Sequence, residues 1–201
     1  MSFYDFDATA AQETGNSGSK VLDTGVYEVT VVTASKTVAS TGTEGIDWSI
    51  HVEGSKYANM VYGMWTINSK GEPIKFNMAK LQSLMGIVGA KKLTEFTKEI
   101  EVQGGTKKVT AFKELDGKKV TVAIKKILDV YNGEVKEKNE IEAFFTADGK
   151  TYSETVKGGP AKQIEWYKSS MKDKQTDEYK KFMVDADDAP AAASDDTEDI
   201  L

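Results

Sequence analysis

Cysteine and arginine are both missing from this chain of 201 residues, and histidine occurs once, at His51. Without cysteine there is no disulfide, no thiolate-held zinc or iron–sulfur cluster and no thiol nucleophile, and one histidine cannot build a multi-histidine metal site. Without arginine there is no planar fork to read guanine edges; all 26 basic residues are lysines, which attract phosphate as point charges. Long apolar runs are missing too. Charged residues make up 29%, mean hydropathy is -0.44, and no stretch approaches the roughly 20 apolar residues that span a bilayer. Asp5 and Asp7 stand where a secretory leader would carry lysine, so the expected compartment is the cytoplasm. There is no Gly-x-x-x-x-Gly-Lys loop and no calcium-loop spacing among the acids, and no carboxylate constellation supports a metal nuclease. The expectation is a protein without catalysis, cofactor or metal.

The formal charge of -6 is unevenly spread. Residues 185–201 hold seven acids and no lysine, which leaves 1–184 at +1 and 20–184 at +4. Between 104 and 126, Lys107, Lys108, Lys113, Lys118, Lys119, Lys125 and Lys126 outnumber Glu114 and Asp116. A basic stretch beside a detached acidic end suits an anionic polymer as ligand. Lysine runs are also ordinary solvated surface in lysine-heavy proteomes, so charge alone does not decide.

Periodicity predicts strands over 25–33, 46–52 and 59–67. In the second, Ile46, Trp48, Ile50 and Val52 alternate with Asp47, Ser49, His51 and Glu53, which puts Trp48 on the core face. The third is apolar on both faces, with Tyr62 and Trp65 on opposite sides unless a bulge turns the chain. Asn77 is the expected N-cap of a helix in which Met78, Leu81, Leu84, Met85 and Val88 recur at helical spacing and which Gly89 ends. A short turn at 93–97 and a small hairpin over 99–112 follow.

Strands over 118–131 and 134–146 flank Asn132-Gly133, the dipeptide of a two-residue type I′ turn. Pairing Tyr131 with Glu134 sets Val130 against Val135, Asp129 against Lys136, Lys125 against Glu140, Ile124 against Ile141, Val122 against Ala143 and Val120 against Phe145. Lys125, Ile127, Tyr131, Lys138 and Phe144 then share the non-core face. Beyond Gly158-Gly159-Pro160 lies a C-terminal helical region with Ile164, Tyr167 and Met171, then Tyr179, Phe182 and Met183. The expected organisation is a flexible arm over 1–19, one domain over 20–184 and a disordered acidic tail over 185–201. Three strands, a helix and a hairpin give a mainly β fold of OB-fold order, a five-stranded Greek-key barrel with an inserted helix; a β-sandwich would give a similar string.

Gly25-Val26-Tyr27-Glu28, Gly42-Thr43-Glu44-Gly45-Ile46, the run from Leu115 through Asp116, Gly117, Lys118 and Lys119 to Val122, and Glu137-Lys138-Asn139-Glu140-Ile141 together resemble a phage protein family encoded near replication and recombination genes. The resemblance spans roughly residues 20–146. The acidic segment with Ile200 and Leu201 resembles the tails of phage and bacterial single-stranded DNA-binding proteins, which more often end in Phe. What this implies is sequence-nonspecific single-stranded DNA binding in phage replication or recombination, in the host cytoplasm, by a monomer or homodimer. The tail would recruit replication or recombination proteins and compete with DNA.

Such binding needs a basic groove along the phosphates and aromatic faces for stacking bases. The expected contacts are Tyr62, Trp65, Tyr131 and Phe144 for bases and Lys107, Lys108, Lys118, Lys119, Lys125, Lys126, Lys136 and Lys138 for phosphates. Asp47 and Glu53, on the outer face of the second strand, argue against it. In the tail, Asp195, Asp196, Glu198, Asp199, Ile200 and Leu201 are the expected partner contacts. The competing expectation is a structural β-protein of a phage particle, with the aromatics as packing, the lysines as surface and the tail as a solubilising appendage.

Overall fold

A computed structural model describes residues 21–56, 58–102 and 105–187. The strands are β1 (Gly25–Val38), β2 (Glu44–Val52), β3 (Ala58–Ile67), β4 (Glu95–Val102), β5 (Gly105–Phe112), β6 (Lys119–Tyr131), β7 (Glu134–Phe145) and β8 (Lys174–Gln175). The helices are α1 (Lys75–Val88) after β3, α2 (Tyr152–Val156) and α3 (Gln163–Ser170) after β7, and α4 (Asp177–Asp187) after β8. The chain is thus mainly β with a few helices. No helix among the described residues is long and apolar enough to cross a membrane.

β1 organises the sheet. It pairs antiparallel with β2 along most of its length. On its other edge it meets β6 through residues 25–30 and β5 through the single pair Ser35 and Ala111. β3 flanks β2, β7 flanks β6, β4 flanks β5, and β8 runs parallel to β6 at Ile127 and Leu128. The path β3-β2-β1-β6-β7 brings its two end strands against each other with no ladder between them. α1 packs on both. Lys80 of α1 donates to the Ile141 carbonyl of β7 at 2.7 Å, lies 3.9 Å from the carboxylates of both Glu140 and Glu142, and sits 4.4 Å over the Phe76 ring. An ammonium occupies a gap that backbone hydrogen bonds leave open.

The alternating apolar residues explain the core. Val29, Val31, Ile46, Trp48, Ile50, Val61, Val122, Ile124 and Phe144 close on one another under Leu81 and Leu84 of α1, and Trp48 is completely buried. Each such side chain contributes about 1.5–3 kcal/mol on burial. The opposite face of β6 and β7 carries Ala123 and Phe145, which α3 covers with Ile164 and Tyr167. Asn139 fastens the entry to β1: its side chain accepts from the Leu22 amide at 2.9 Å and donates to the Leu22 carbonyl at 2.8 Å.

Several expectations are corrected. Asn77 is not the cap of α1: the helix starts at Lys75, and the Asn77 amide donates to the Trp65 carbonyl at 2.8 Å, tying helix to strand. The expected turn at 93–97 is partly strand, and the hairpin over β4 and β5 starts at Glu95, four residues earlier than expected. Asn132 and Gly133 do form the turn between β6 and β7, with φ of 54° and 76°, and the expected pairs hold from Tyr131 and Glu134 to Ile124 and Ile141. There a bulge in β7 shifts the ladder: Val122 faces Phe144 instead of Ala143, and Phe145 faces Thr121 instead of Val120. One extra residue reverses which side each following side chain takes. α4 runs through Asp187, three residues into the expected tail, and residues 1–19 and 188–201 lie outside the described residues.

Candidate nucleic-acid interface

The site is built on a second bulge. Between the pairs Ile46–Met64 and Trp48–Val61, Asp47 of β2 stands opposite two residues of β3, Tyr62 and Gly63. Gly63 adopts φ of 70°, a conformation glycine enters without strain, and its amide donates to the Asp47 carboxylate at 2.8 Å. The extra residue resets the alternation: Asn59 and Val61 point inward before it, Met64 and Thr66 after it. Tyr62 and Trp65 therefore share the outer face.

Trp65 lies flat on that face because two glycines clear the ground. A Cβ on Gly45, its ladder partner, would come within 2.8 Å of the indole, and one on Gly63 within 3.0 Å. Tyr62 stands clear, with 67% of its surface exposed. Ladder partners share a face, so register shows what else is here: Gly45 beside Trp65, Asp47 beside Tyr62, Ser49 beside Met60, and His51 beside Ala58. His51 pairs across β1 with Thr30, and Thr30 with Lys119 of β6. In the other direction the row of Asp47 continues through Ser35 to Ala111, and Lys107 stands on the same side of β5, two alternations out. Asp47, which from sequence alone argued against phosphate here, is engaged as the clamp on the bulge.

The lysines divide into two groups. Lys108 reaches Glu99 at 3.6 Å, Lys125 reaches Glu142 at 2.7 Å, Lys126 reaches Glu137 at 3.0 Å and Asp23 at 3.7 Å, and Lys138 reaches Asp129 at 2.8 Å; Lys136 bonds Glu134. The hydrogen bond to Glu137 raises the pKa of Lys126, and those from Lys138 and Lys136 hold Asp129 and Glu134 below the usual carboxylate range. Lys107, Lys118 and Lys119 are exposed and make no ion pair among the described residues. Of these, Lys107 and Lys119 belong to the face of Tyr62 and Trp65.

Tyr131 is 68% exposed at the tip of the β6–β7 hairpin. Phe144 does not belong to a binding face: the bulge in β7 turns it into the core, 2% exposed and 5.4 Å from the ring of Trp48. Ile127, expected outside with it, is buried beside β8. Asp195, Asp196, Glu198, Asp199, Ile200 and Leu201 lie outside the described residues.

Three exposed aromatics carried no role in the sequence reading: Phe76, Tyr152 and Trp166. Trp166 on α3 is 60% exposed, and the buried stripe of that segment runs through Ile164, Tyr167 and Met171. An aromatic standing off its helix's apolar stripe was the available signal. No family model and no curated protein matches the chain.

Proposed function

We propose that this protein binds single-stranded DNA without sequence preference, on the outer face of β2 and β3, in phage replication or recombination. The observation that carries the reading is the bulge at Gly63, which sets Tyr62 and Trp65 side by side on one accessible face. Every base has a ring face, so the exposed Tyr62 and the half-buried Trp65 beside it accept any sequence. Lys107 and Lys119 border this face and supply charge without the fork that reads base edges. The path β3-β2-β1-β6-β7, with α1 between β3 and β6, supports an OB-type Greek-key barrel in which β4 and β5 are an inserted ribbon. The acidic segment after α4 competes with DNA for the lysines and recruits partner proteins.

The test is a gel shift at low salt with oligothymidylate and with duplex. The full chain retards oligothymidylate, and Tyr62→Ala and Trp65→Ala each weaken binding by about 1–3 kcal/mol with the fold retained. Duplex binding with no oligothymidylate binding overturns the reading. A second reading, a structural β-protein of a phage particle, draws support from the carboxylate partners of Lys108, Lys125, Lys126, Lys136 and Lys138, which make those lysines ordinary surface. It predicts retardation of neither probe.

A further inference from the structure

Trp166 is exposed yet firmly mounted. Its ring meets Tyr167 edge to face at 5.0 Å and 86°, Tyr167 meets Phe145 in the same manner at 5.6 Å and 78°, and Phe145 is completely buried. The indole is thus positioned from the core outward through two rings. Beside it opens a cleft of about 420 Å³ lined by Lys162, Gln163, Trp166 and Tyr167. That volume lies in the range of small-ligand sites, which join aromatic walls to a few polar groups.

The charges around the cleft are sorted. Glu154 is fully engaged: Oε1 accepts from the amides of Lys162 and Gln163 at 2.9 and 3.0 Å, and Oε2 accepts from the Thr151 amide and hydroxyl at 2.9 and 3.1 Å. Glu165 pairs with Lys168 at 2.9 Å. The Lys162 ammonium has no ion-pair partner among the described residues. The cleft therefore presents a fixed ring face, one uncommitted cation and an amide that can both donate and accept. It has no aliphatic wall of the kind an apolar peptide would need.

We infer that this cleft is a second stacking station, where one nucleotide of a bound single strand lays its base on Trp166 and its phosphate on Lys162. The inference rests on the single-strand reading above and adds a site away from β3. α3 packs on the outer side of β1 at Val26, whose neighbours on that side are Glu28 and then Thr30, the residue level with His51 and Lys119. Val26 and Thr30 are about 13 Å apart along the strand. The two stations therefore lie on one outer surface, with the exposed Glu28 between them.

The experiment uses the full chain carrying Trp65→Phe, which leaves the buried Trp48 and the exposed Trp166 as indole reporters. Oligothymidylate of about 16 nucleotides or longer, enough to cover one barrel and its margin, quenches this variant's tryptophan emission, and adding Trp166→Phe removes the quenching. In the otherwise wild-type chain, Trp166→Ala weakens oligothymidylate binding roughly 5- to 150-fold, while Trp166→Phe, which keeps a ring, loses less. Wild-type affinity in Trp166→Ala with a loss in Trp65→Ala overturns the second station and leaves the function standing. No oligothymidylate binding by the wild-type chain overturns both. Quenching by a synthetic 188–201 peptide, with none by oligothymidylate, overturns the nucleotide assignment in favour of an acidic peptide.

Discussion

The Asp47 carboxylate holds the Gly63 amide at 2.8 Å, and this bond across the β2–β3 ladder decides which way two aromatic rings face. Without the bulge it stabilises, Tyr62 and Trp65 would alternate to opposite sides of a regular strand. A carboxylate on a prospective DNA surface looks like a defect by charge alone. Its geometry gives it a structural task there.

Asp47→Ala leaves the Gly63 amide without its partner and costs about 1–3 kcal/mol of stability. Asp47→Asn keeps an acceptor oxygen and costs less. Gly63→Ala acts from the other side, forcing a Cβ into positive φ and to within 3.0 Å of the Trp65 indole, and displaces that ring. Thermal unfolding gives the stabilities. A change in the emission of Trp65 alongside weaker oligothymidylate binding ties the bulge to the site, whereas lower stability with unchanged affinity would separate them.

The division among lysines is testable through salt. Single-strand affinity falls with log salt at a slope of about -0.7 per phosphate neutralised. Lys107→Ala and Lys119→Ala each make the slope shallower by about that amount. Lys125→Ala with Lys126→Ala leaves it nearly unchanged, because Glu142 and Glu137 already neutralise those two ammonium groups. Titrations from low to moderate salt that showed the reverse order would move the phosphate path to the β6–β7 hairpin.

Lys80 provides the pH-dependent prediction. Burial withdraws its ammonium from water more than Glu142 and Glu140 compensate, so its pKa in the folded protein lies below the ordinary 10.5. The unfolded chain then holds that proton more tightly, and the stability attributable to Lys80 rises as pH climbs toward 10.5. Lys80→Ala at neutral pH leaves the Ile141 carbonyl without its donor, while Glu142 keeps Lys125, and costs about 1–3 kcal/mol. Lys80→Met fills the space and removes the titration. Denaturant unfolding from pH 8 upward should show the wild-type chain gaining on Lys80→Met, and parallel pH profiles would contradict this account.

Truncation after Asp187 removes five acids, Asp188, Asp195, Asp196, Glu198 and Asp199, taking the formal charge from -6 to -1. If the segment competes for the lysines at high effective concentration, the truncated chain binds oligothymidylate more tightly at low salt. The gain shrinks as salt shortens the screening length to about 8–10 Å. Removing Ile200 and Leu201 alone impairs partner capture and leaves DNA affinity nearly unchanged. Equal affinities of full and truncated chains at low salt would make the segment a solubilising appendage.

What the sequence made legible follows from local chemistry. Asn132-Gly133 demands positive φ twice, so turn and register could be read from it as far as Ile124 and Ile141. The bulge beyond could not, because adjacent Phe144 and Phe145 satisfy an alternating pattern in either register, and each finds an apolar site on its own side of the sheet. The bulge in β3 left a trace in Gly63, since a glycine inside an apolar strand marks such a site. Charge counting exposed the lysine surplus but not its pairing. Lys125 bonds Glu142 rather than its ladder partner Glu140, and Lys138 bonds Asp129 rather than Ile127, so neither follows from which residues stand opposite.

The ribbon of β4 and β5 joins β1 through one ladder pair, through Lys98, which donates to the Val32 carbonyl and pairs with Asp116, and through the Lys36–Glu95 ion pair at 3.7 Å. Its ladder contact with the rest of the sheet, among the described residues, is at Ala111. Lys107 lies four residues out, about 13 Å from that pair. Lys119 is paired with Thr30 at the end of the β1–β6 ladder. Of the two ammonium groups bordering the aromatic face, one stands on the body of the sheet and the other on a ribbon that side chains, more than backbone pairing, hold to it.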